Sequence, residues 1–114
     1  MNKKDKYGLE FIKLKNNGLV GYNCIRKNHI VDKNNLLQFL TYLDESATQF
    51  LLREVNFYLN CVPDLSWTPY DSMVLEHINL QIDYPNFIID GQSYIFPLTD
   101  IRDLLYEWLT FLQS

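Results

Sequence analysis

The sequence has few of the residues that build a disulfide scaffold, a linker or a membrane span. Its 114 residues include two cysteines, four glycines and four prolines. Two cysteines are too few for the disulfide framework of a small secreted domain, and the low glycine and proline content excludes collagen-like repeats and linker-dominated chains. The longest wholly apolar run has three residues, as at 87–89, whereas a helix needs about 20 to span a bilayer. We therefore expect a soluble cytoplasmic domain that binds no membrane.

Motifs that define a chemical activity are also missing. The four glycines are scattered, which excludes a phosphate-binding loop, and neither CxxC nor HExxH occurs. Cys24 or Cys61 could meet His29 or His77 in the fold, as a metal site or as a nucleophile and its base. Packing in the core is the more common role of such thiols. The sequence thus predicts no enzyme, no cofactor and no metal site.

The chain does have enough apolar surface for one core. Hydrophobic residues make up 47% of it and aromatic residues 15%. A domain of this size buries about two-thirds of the surface that its unfolded chain exposes. No repeat, low-complexity tract or linker divides the sequence, so we predict a single domain over residues 1–114.

Charge is distributed unevenly along the chain. Residues 1–33 carry eight basic and three acidic residues, whereas residues 34–114 carry two arginines and eleven acidic residues, giving net charges of +5 and −9. An acidic body disfavours binding to a phosphate backbone and favours long-range attraction to a basic protein. Solubility alone explains the asymmetry equally well. The basic start, with Lys3, Lys4 and Lys6, is expected to be a solvated, frayed end.

Local patterns predict a hairpin and a helix in the first part of the chain. Runs rich in β-formers at 7–14 and 19–26 flank an Asn-Gly dipeptide at 17–18, which favours a type I′ turn. Leucines at helical spacing predict an α-helix over 33–45, with Asp32 as its N-cap. Each of the two predictions rests on residues that are close together in the sequence.

Residues 47–61 fit either a helix or a strand. In a helix, the apolar side chains fall within an arc of about 120°, opposite polar residues that include Gln49 and Arg53. A strand would place Arg53 among apolar side chains. We therefore predict a helix, in which Ser46 and Gln49 form a capping box.

The second half of the chain contains turn-forming and alternating segments. Two prolines and several turn formers predict a loop over 62–72. Polar and apolar residues alternate from 73 to 83, which predicts a half-buried strand. Short strands at 87–89 and 94–96 flank an Asp-Gly turn at 90–91.

The C-terminal segment has the clearest helical pattern. Thr99 can cap a helix in which apolar side chains, Trp108 among them, recur at helical spacing to the C-terminus. The predicted element order is therefore ββ-αα-βββ-α. An antiparallel sheet with helices packed on one face makes this an α+β domain.

The predicted loop carries four candidate binding residues, Asp64, Trp67, Tyr70 and Asp71. Amphipathic aromatic side chains beside carboxylates are typical of interface hot spots. Trp67 can equally fold back as a lid over the core. Stacking on single-stranded nucleic acid needs a basic groove, and this part of the chain is acidic, so we predict no nucleic-acid binding.

The last helix carries Asp100, Asp103 and Glu107 within about 60° of one another. Such a stripe is typical of a solvated helix surface, since the helix dipole favours acids in the first turn. It can also contact a basic partner, and paired carboxylates can perform acid–base chemistry. With Asp83 from the end of the predicted strand 73–83, these residues complete the predicted partner-binding set.

A small, acidic α+β chain without catalytic motifs resembles, in its general character, the immunity proteins of bacterial toxin systems such as contact-dependent growth inhibition. The resemblance implies that the chain binds a cognate toxin domain, often a basic nuclease, and blocks it. Two alternatives stay open. One is a non-enzymatic adaptor or subunit of a larger assembly, and the other is a small enzyme or ligand-binding domain.

Overall fold

A computed structural model describes residues 2–27, 31–60, 78–90 and 95–114, together with the backbone of 70–75. Its elements, in chain order, are α1 (Lys3–Lys6), β1 (Leu9–Asn16), β2 (Leu19–Arg26), a 3₁₀ helix (Lys33–Tyr42), α2 (Glu45–Asn60), β3 (Tyr70–Leu75), β4 (Ile78–Asp83), β5 (Asn86–Ile89), β6 (Ile95–Pro97) and α3 (Leu98–Leu112). The predicted α+β class is confirmed, as is the succession of two strands, a helical region, further strands and a last helix.

The antiparallel strands divide into two sheets. β1 pairs with β2, and the second sheet has the order β3-β4-β5-β6. The segment 73–83, expected as one strand, contributes to both β3 and β4, which pair with Tyr70 opposite Asp83 and Leu75 opposite Ile78. Residues 70–72 were expected in the loop, but cross-strand pairing outweighs their turn-forming composition.

The β1–β2 hairpin has the predicted turn. Asn17 and Gly18 have positive φ angles of 52° and 81°, as both central residues of a type I′ turn require. Asn16 pairs with Leu19 across this two-residue loop. The Asn-Gly dipeptide therefore determines the register of the whole hairpin.

The segment predicted as an α-helix over 33–45 is a 3₁₀ helix that ends at Tyr42. Asp32 is its N-cap as predicted, because its side chain accepts a hydrogen bond of 2.9 Å from the Asn34 N–H. The buried leucines Leu37, Leu40 and Leu43 are three residues apart, and a 3₁₀ helix aligns such positions on one side.

Residues 45–60 form the predicted helix, but its cap is not the predicted one. Helix α2 begins at Glu45, and the Asp44 carboxylate accepts a hydrogen bond of 2.7 Å from the Ala47 N–H. Ser46 lies inside the first turn, so the expected capping box of Ser46 and Gln49 is wrong. A carboxylate at the N-cap is further stabilised because the helix dipole is positive at its N-terminal end.

The core lies between the helices and the strands. Helix α3 supplies its central side chain, since Trp108 is fully buried and packs edge-on against Phe11 of β1 at a centroid distance of 5.0 Å. The Trp108 Nε1–H donates a hydrogen bond of 3.0 Å to the Leu43 carbonyl. Other buried side chains come from α2 and the second sheet, including Leu51, Val55, Leu80, Phe87, Ile89 and Phe96.

Candidate functional site

The acidic stripe of α3 is covered by the start of the chain itself. We call residues 2–7 the N-terminal arm. Both oxygens of the Glu107 carboxylate accept backbone N–H groups from the arm, from Lys3 at 2.8 Å and from Lys4 at 3.0 Å. The arm is therefore not the frayed end expected from the sequence. It is a short helix whose first N–H groups are bound by Glu107.

Asp100 is the most enclosed carboxylate of the stripe, with 5% of its surface exposed. Its oxygens lie 3.1 Å from the Lys3 ammonium and 2.8 Å from the Lys6 ammonium, and the Tyr7 hydroxyl donates a hydrogen bond to it. The expectation that the whole stripe is solvated is therefore wrong for Asp100.

Hydrogen bonds determine the protonation state of Asp100. Burial alone would raise its pKa, but the hydrogen bonds from Lys6, Tyr7 and Lys3 outweigh burial and lower the pKa to about 2. Burial and the neighbouring Asp100 raise the pKa of Tyr7 above its ordinary value. At neutral pH Asp100 is thus an ionised carboxylate and Tyr7 a neutral hydroxyl. The negative charge of Asp100 suits binding of lysines, and neither group takes up or releases a proton near neutrality.

Asp103 is more accessible than Asp100, and its carboxylate is not bound by the backbone of the arm as that of Glu107 is. Its side chain is 35% exposed, and it accepts a hydrogen bond of 3.0 Å from Arg102 while lying 3.9 Å from the Lys3 ammonium. Exposed pairs of this kind are screened by solvent and contribute little to stability. Of the three predicted stripe residues, Asp103 is therefore the one best placed to attract another molecule.

Sequence reasoning missed the residues that complete this site, Tyr7 and the arm lysines. A signal was present, because Lys3 and Lys6 are three residues apart and so are Asp100 and Asp103. Matching charge spacing does not by itself show that two segments meet. The contacting residues are about a hundred positions apart in the sequence, and one chain of unknown fold gives no basis for pairing them.

A groove of about 460 Å³ adjoins the stripe. Phe11, Tyr106 and Phe111 supply its aromatic walls, and Lys4 and Glu107 lie at its polar edge. The Lys4 ammonium lies 5.7 Å from the centre of the Phe11 ring, a geometry in which a cation is attracted to the ring face. The arm thus contacts an aromatic surface as well as an acidic one.

Three further predicted residues, Tyr70, Asp71 and Asp83, lie on neighbouring strands. Tyr70 and Asp83 are directly opposite each other in the β3–β4 ladder, and Asp71 is the next residue of β3. The turn after Asp83 is bound to α3, because the Pro85 carbonyl accepts a hydrogen bond of 3.0 Å from the Leu98 N–H. Asp64 and Trp67 lie outside the described residues.

Helices α2 and α3 each carry exposed aromatic side chains that were not among the predicted site residues. Phe50 and Phe57 of α2 and Tyr106 of α3 are each about half exposed. Tyr106 accepts a hydrogen bond of 3.2 Å from the Asn56 side-chain amide, which connects the two helices at the surface. Tyr106 also lies one helical turn after Asp103, so a half-exposed ring and a partly exposed carboxylate are neighbours here.

Cys24 is buried in the second half of β2, and burial raises the pKa of its thiol to about 12. A protonated thiol without solvent access is a poor nucleophile and a poor metal ligand. Cys61, His29 and His77 lie outside the described residues. Within the described ranges, no group of three or more His, Cys, Asp or Glu side chains is arranged to hold a metal ion.

We expect Cys24 to react with a thiol reagent only when the protein unfolds. A Cys61→Ala variant carries this single thiol, and its labelling by a maleimide can be followed by mass spectrometry. Labelling in buffer should be at least about a hundredfold slower than in denaturant, because burial and a high pKa both suppress the thiolate. Rapid labelling of the folded protein would contradict the described burial.

Comparison with family models, with curated proteins and with solved structures finds no match for this chain. No helix among the described residues has the length and apolar character needed to cross a membrane.

Proposed function

We propose that the chain is an inhibitory protein-binding module, most concretely a cytoplasmic immunity protein that neutralises a cognate basic toxin domain by occluding it. The observation that carries the proposal is the surface where Tyr106 lies beside Asp103, with Phe57 exposed on the adjacent helix. Half-exposed aromatic rings next to a carboxylate supply the contact area and the orientation that protein interfaces use.

Charge supports a basic partner rather than an acidic one. Residues 34–114 carry a net charge of −9, which attracts a basic protein over distances of about a Debye length, roughly 8–10 Å. The stripe also gives an intramolecular example of attraction to basic side chains, because Asp100 already binds the ammonium groups of Lys3 and Lys6. Binding of a lysine-rich segment from another protein needs no different interactions.

A non-enzymatic adaptor or subunit of a larger assembly is the second candidate. The exposed rings Phe50, Phe57 and Tyr106 favour it equally, since a constitutive interface also uses aromatic contact area. The two functions differ in their partners. An immunity protein captures one toxin and abolishes its activity, whereas an adaptor co-purifies with several subunits.

The test is affinity capture from the native cell, followed by an activity assay and binding kinetics with the captured partner. Tyr106→Ala should speed dissociation and weaken binding about 30-fold, as expected when a ring is removed from the centre of an interface. An Asp83→Asn/Asp103→Asn variant should instead slow association and reduce its salt dependence. Trp67→Ala tests the anchor predicted from the sequence in the same assay.

Tyr42→Ala is the matched control, because Tyr42 is an equally exposed ring at the end of the 3₁₀ helix. Asp100 and Glu107 are unsuitable for this test, since they hold the N-terminal arm and their loss would alter the fold. The proposal fails if the partner keeps its activity when bound. It fails also if Tyr106→Ala and Tyr42→Ala change the affinity equally.

A further inference from the structure

The tip of the β1–β2 hairpin is a two-stranded sheet that projects into solvent. Every residue from Lys13 to Gly21 is exposed, and Leu14, Leu19 and Val20 are large apolar side chains among them. An isolated two-stranded hairpin is marginally stable in water, and a third strand or a packed face normally supports it. As far as the structure describes the chain, the tip therefore has unpaired edges as well as unburied apolar surface.

The register shows which backbone groups are available at the edge of β2. The N–H and carbonyl of Cys24 point away from β1, because both bond the Thr41 hydroxyl, at 2.9 Å and 3.2 Å. Strand geometry then turns the backbone groups of Tyr22 and Val20 outward in the same way. Within the described residues, these outward groups have no hydrogen-bond partner. Thr41 closes the edge at Cys24 and leaves Leu19–Asn23 open.

Charge distinguishes the two edges of the hairpin. Strand β1 carries Lys13 and Lys15 near its open edge, and lysines on an edge strand oppose pairing with another strand. Residues 19–23 of β2 have the sequence LVGYN and carry no charge. Of the two edges, only that of β2 lacks this protection.

Gly21 occupies the centre of this uncharged segment, and no contact with the described residues requires a glycine there. Its φ angle is not in the left-handed region, and a Cβ at this position would meet no atom within 4 Å. Glycine inside a strand often marks a place where another backbone approaches closely. Here no described residue supplies such a backbone.

We infer that a second copy of this chain binds at the β2 edge, so that two hairpins form one four-stranded antiparallel sheet. The two-fold axis passes between Gly21 and its symmetry mate, and Val20 and Tyr22 of one copy pair with Tyr22 and Val20 of the other. Each pair exchanges both backbone hydrogen bonds, and an aromatic ring faces a β-branched side chain across the strands. The open segment Leu19–Asn23 is symmetric about Gly21, as this arrangement requires.

Electrostatics favours dimerisation through the β2 edges over dimerisation through the β1 edges. Pairing at β2 places the two β1 strands at the outer edges, three strand spacings or about 14 Å apart. That distance exceeds the Debye length of about 8–10 Å at moderate salt, so the lysines of the two copies barely repel. Pairing through β1 would instead put Lys13 and Lys15 of both copies side by side, which is destabilising.

The experiment is sedimentation equilibrium of the full chain from about 1 μM to about 1 mM, the range that covers weak association. The wild-type protein should show a monomer–dimer equilibrium. Val20→Lys should raise the dimer Kd at least about tenfold, because it places a charge in the interface. Leu14→Lys is the matched control, since Leu14 and Val20 are 50% and 45% exposed and only Val20 lies on the β2 edge. It should leave the dimer Kd within about twofold.

Three results would overturn the inference, and none of them depends on the proposed function. The first is a monomeric wild-type protein over the whole concentration range. The second is equal weakening by Val20→Lys and Leu14→Lys, which would mean that any added charge on the hairpin is sufficient. The third is a dimer that weakens steeply as salt is raised, because pairing through an uncharged edge should be insensitive to salt or slightly strengthened by it. Circular dichroism confirms that each variant is folded.

Discussion

Replacing Trp108 with alanine is expected to lower the free energy of unfolding by about 3–5 kcal/mol. The ring is fully buried and contacts Phe11 and Phe111 at centroid distances of 5.0 and 5.6 Å, so truncation leaves a cavity among rigid neighbours. The Leu43 carbonyl, which accepts the indole N–H at 3.0 Å, also loses its partner. Urea denaturation followed by circular dichroism measures the loss against a total stability of about 5–15 kcal/mol.

Two variants make the Trp108 result specific. Tyr106→Ala truncates a half-exposed ring on the same helix and should change the stability by no more than about 1 kcal/mol. Trp108→Phe keeps an aromatic ring but removes the N–H donor and part of the indole volume, so its smaller loss combines the buried hydrogen bond to Leu43 with a smaller cavity. Equal losses in Trp108→Ala and Tyr106→Ala would mean that the burial assigned to α3 is wrong.

Elements defined by short-range patterns were predictable from the sequence. The Asn17-Gly18 turn determines the β1–β2 register, because both residues must adopt positive φ angles. Helix α3 follows from apolar side chains at helical spacing, which its buried Ile101, Leu105 and Trp108 confirm. In both cases the residues that determine the element are close together in the sequence.

The type of helix and the division of strands were less predictable. Leu37, Leu40 and Leu43 have a spacing that both α and 3₁₀ helices bury, and the choice depends on how the segment packs against β2. Alternation from 73 to 83 describes a strand but contains no information on where the chain reverses. The pairing of β3 with β4 is a tertiary property that periodicity alone does not encode.

The candidate site was predictable only as a list of residues on one helix face. Spacing placed Asp100, Asp103 and Glu107 together, and α3 does carry them on one side. Their surroundings differ because of contacts with the arm, which lies about a hundred residues earlier in the sequence. Glu107 binds backbone N–H groups, Asp100 is enclosed by lysines and Tyr7, and Asp103 remains accessible. A single acidic stripe therefore combines two carboxylates that hold the arm with one that remains accessible.

Because Asp100 and Asp103 have different surroundings, the same substitution should affect stability differently at the two positions. Asp100→Asn should lower the free energy of unfolding at pH 7 by about 2 kcal/mol, because the folded protein holds the pKa of Asp100 at about 2 instead of the ordinary 3.8. Asp103→Asn removes the same charge one turn away, at a side chain that is 35% exposed, and should cost no more than about 0.5 kcal/mol. Urea denaturation of both variants beside the wild type measures the difference.

The pH dependence of that difference distinguishes a charge effect from a packing effect. Because the pKa of Asp100 is lowered on folding, its stabilisation is complete above the unfolded value of 3.8 and is lost as the pH falls towards about 2. The stability gap between the wild type and Asp100→Asn should therefore stay constant from pH 7 to about pH 5. It should then shrink to about 0.5 kcal/mol near pH 2, where the wild-type carboxylate takes up its proton. A gap that persists unchanged at low pH would mean that Asp100 stabilises the arm through shape and neutral hydrogen bonds, and that its ion pairs with Lys3 and Lys6 contribute nothing.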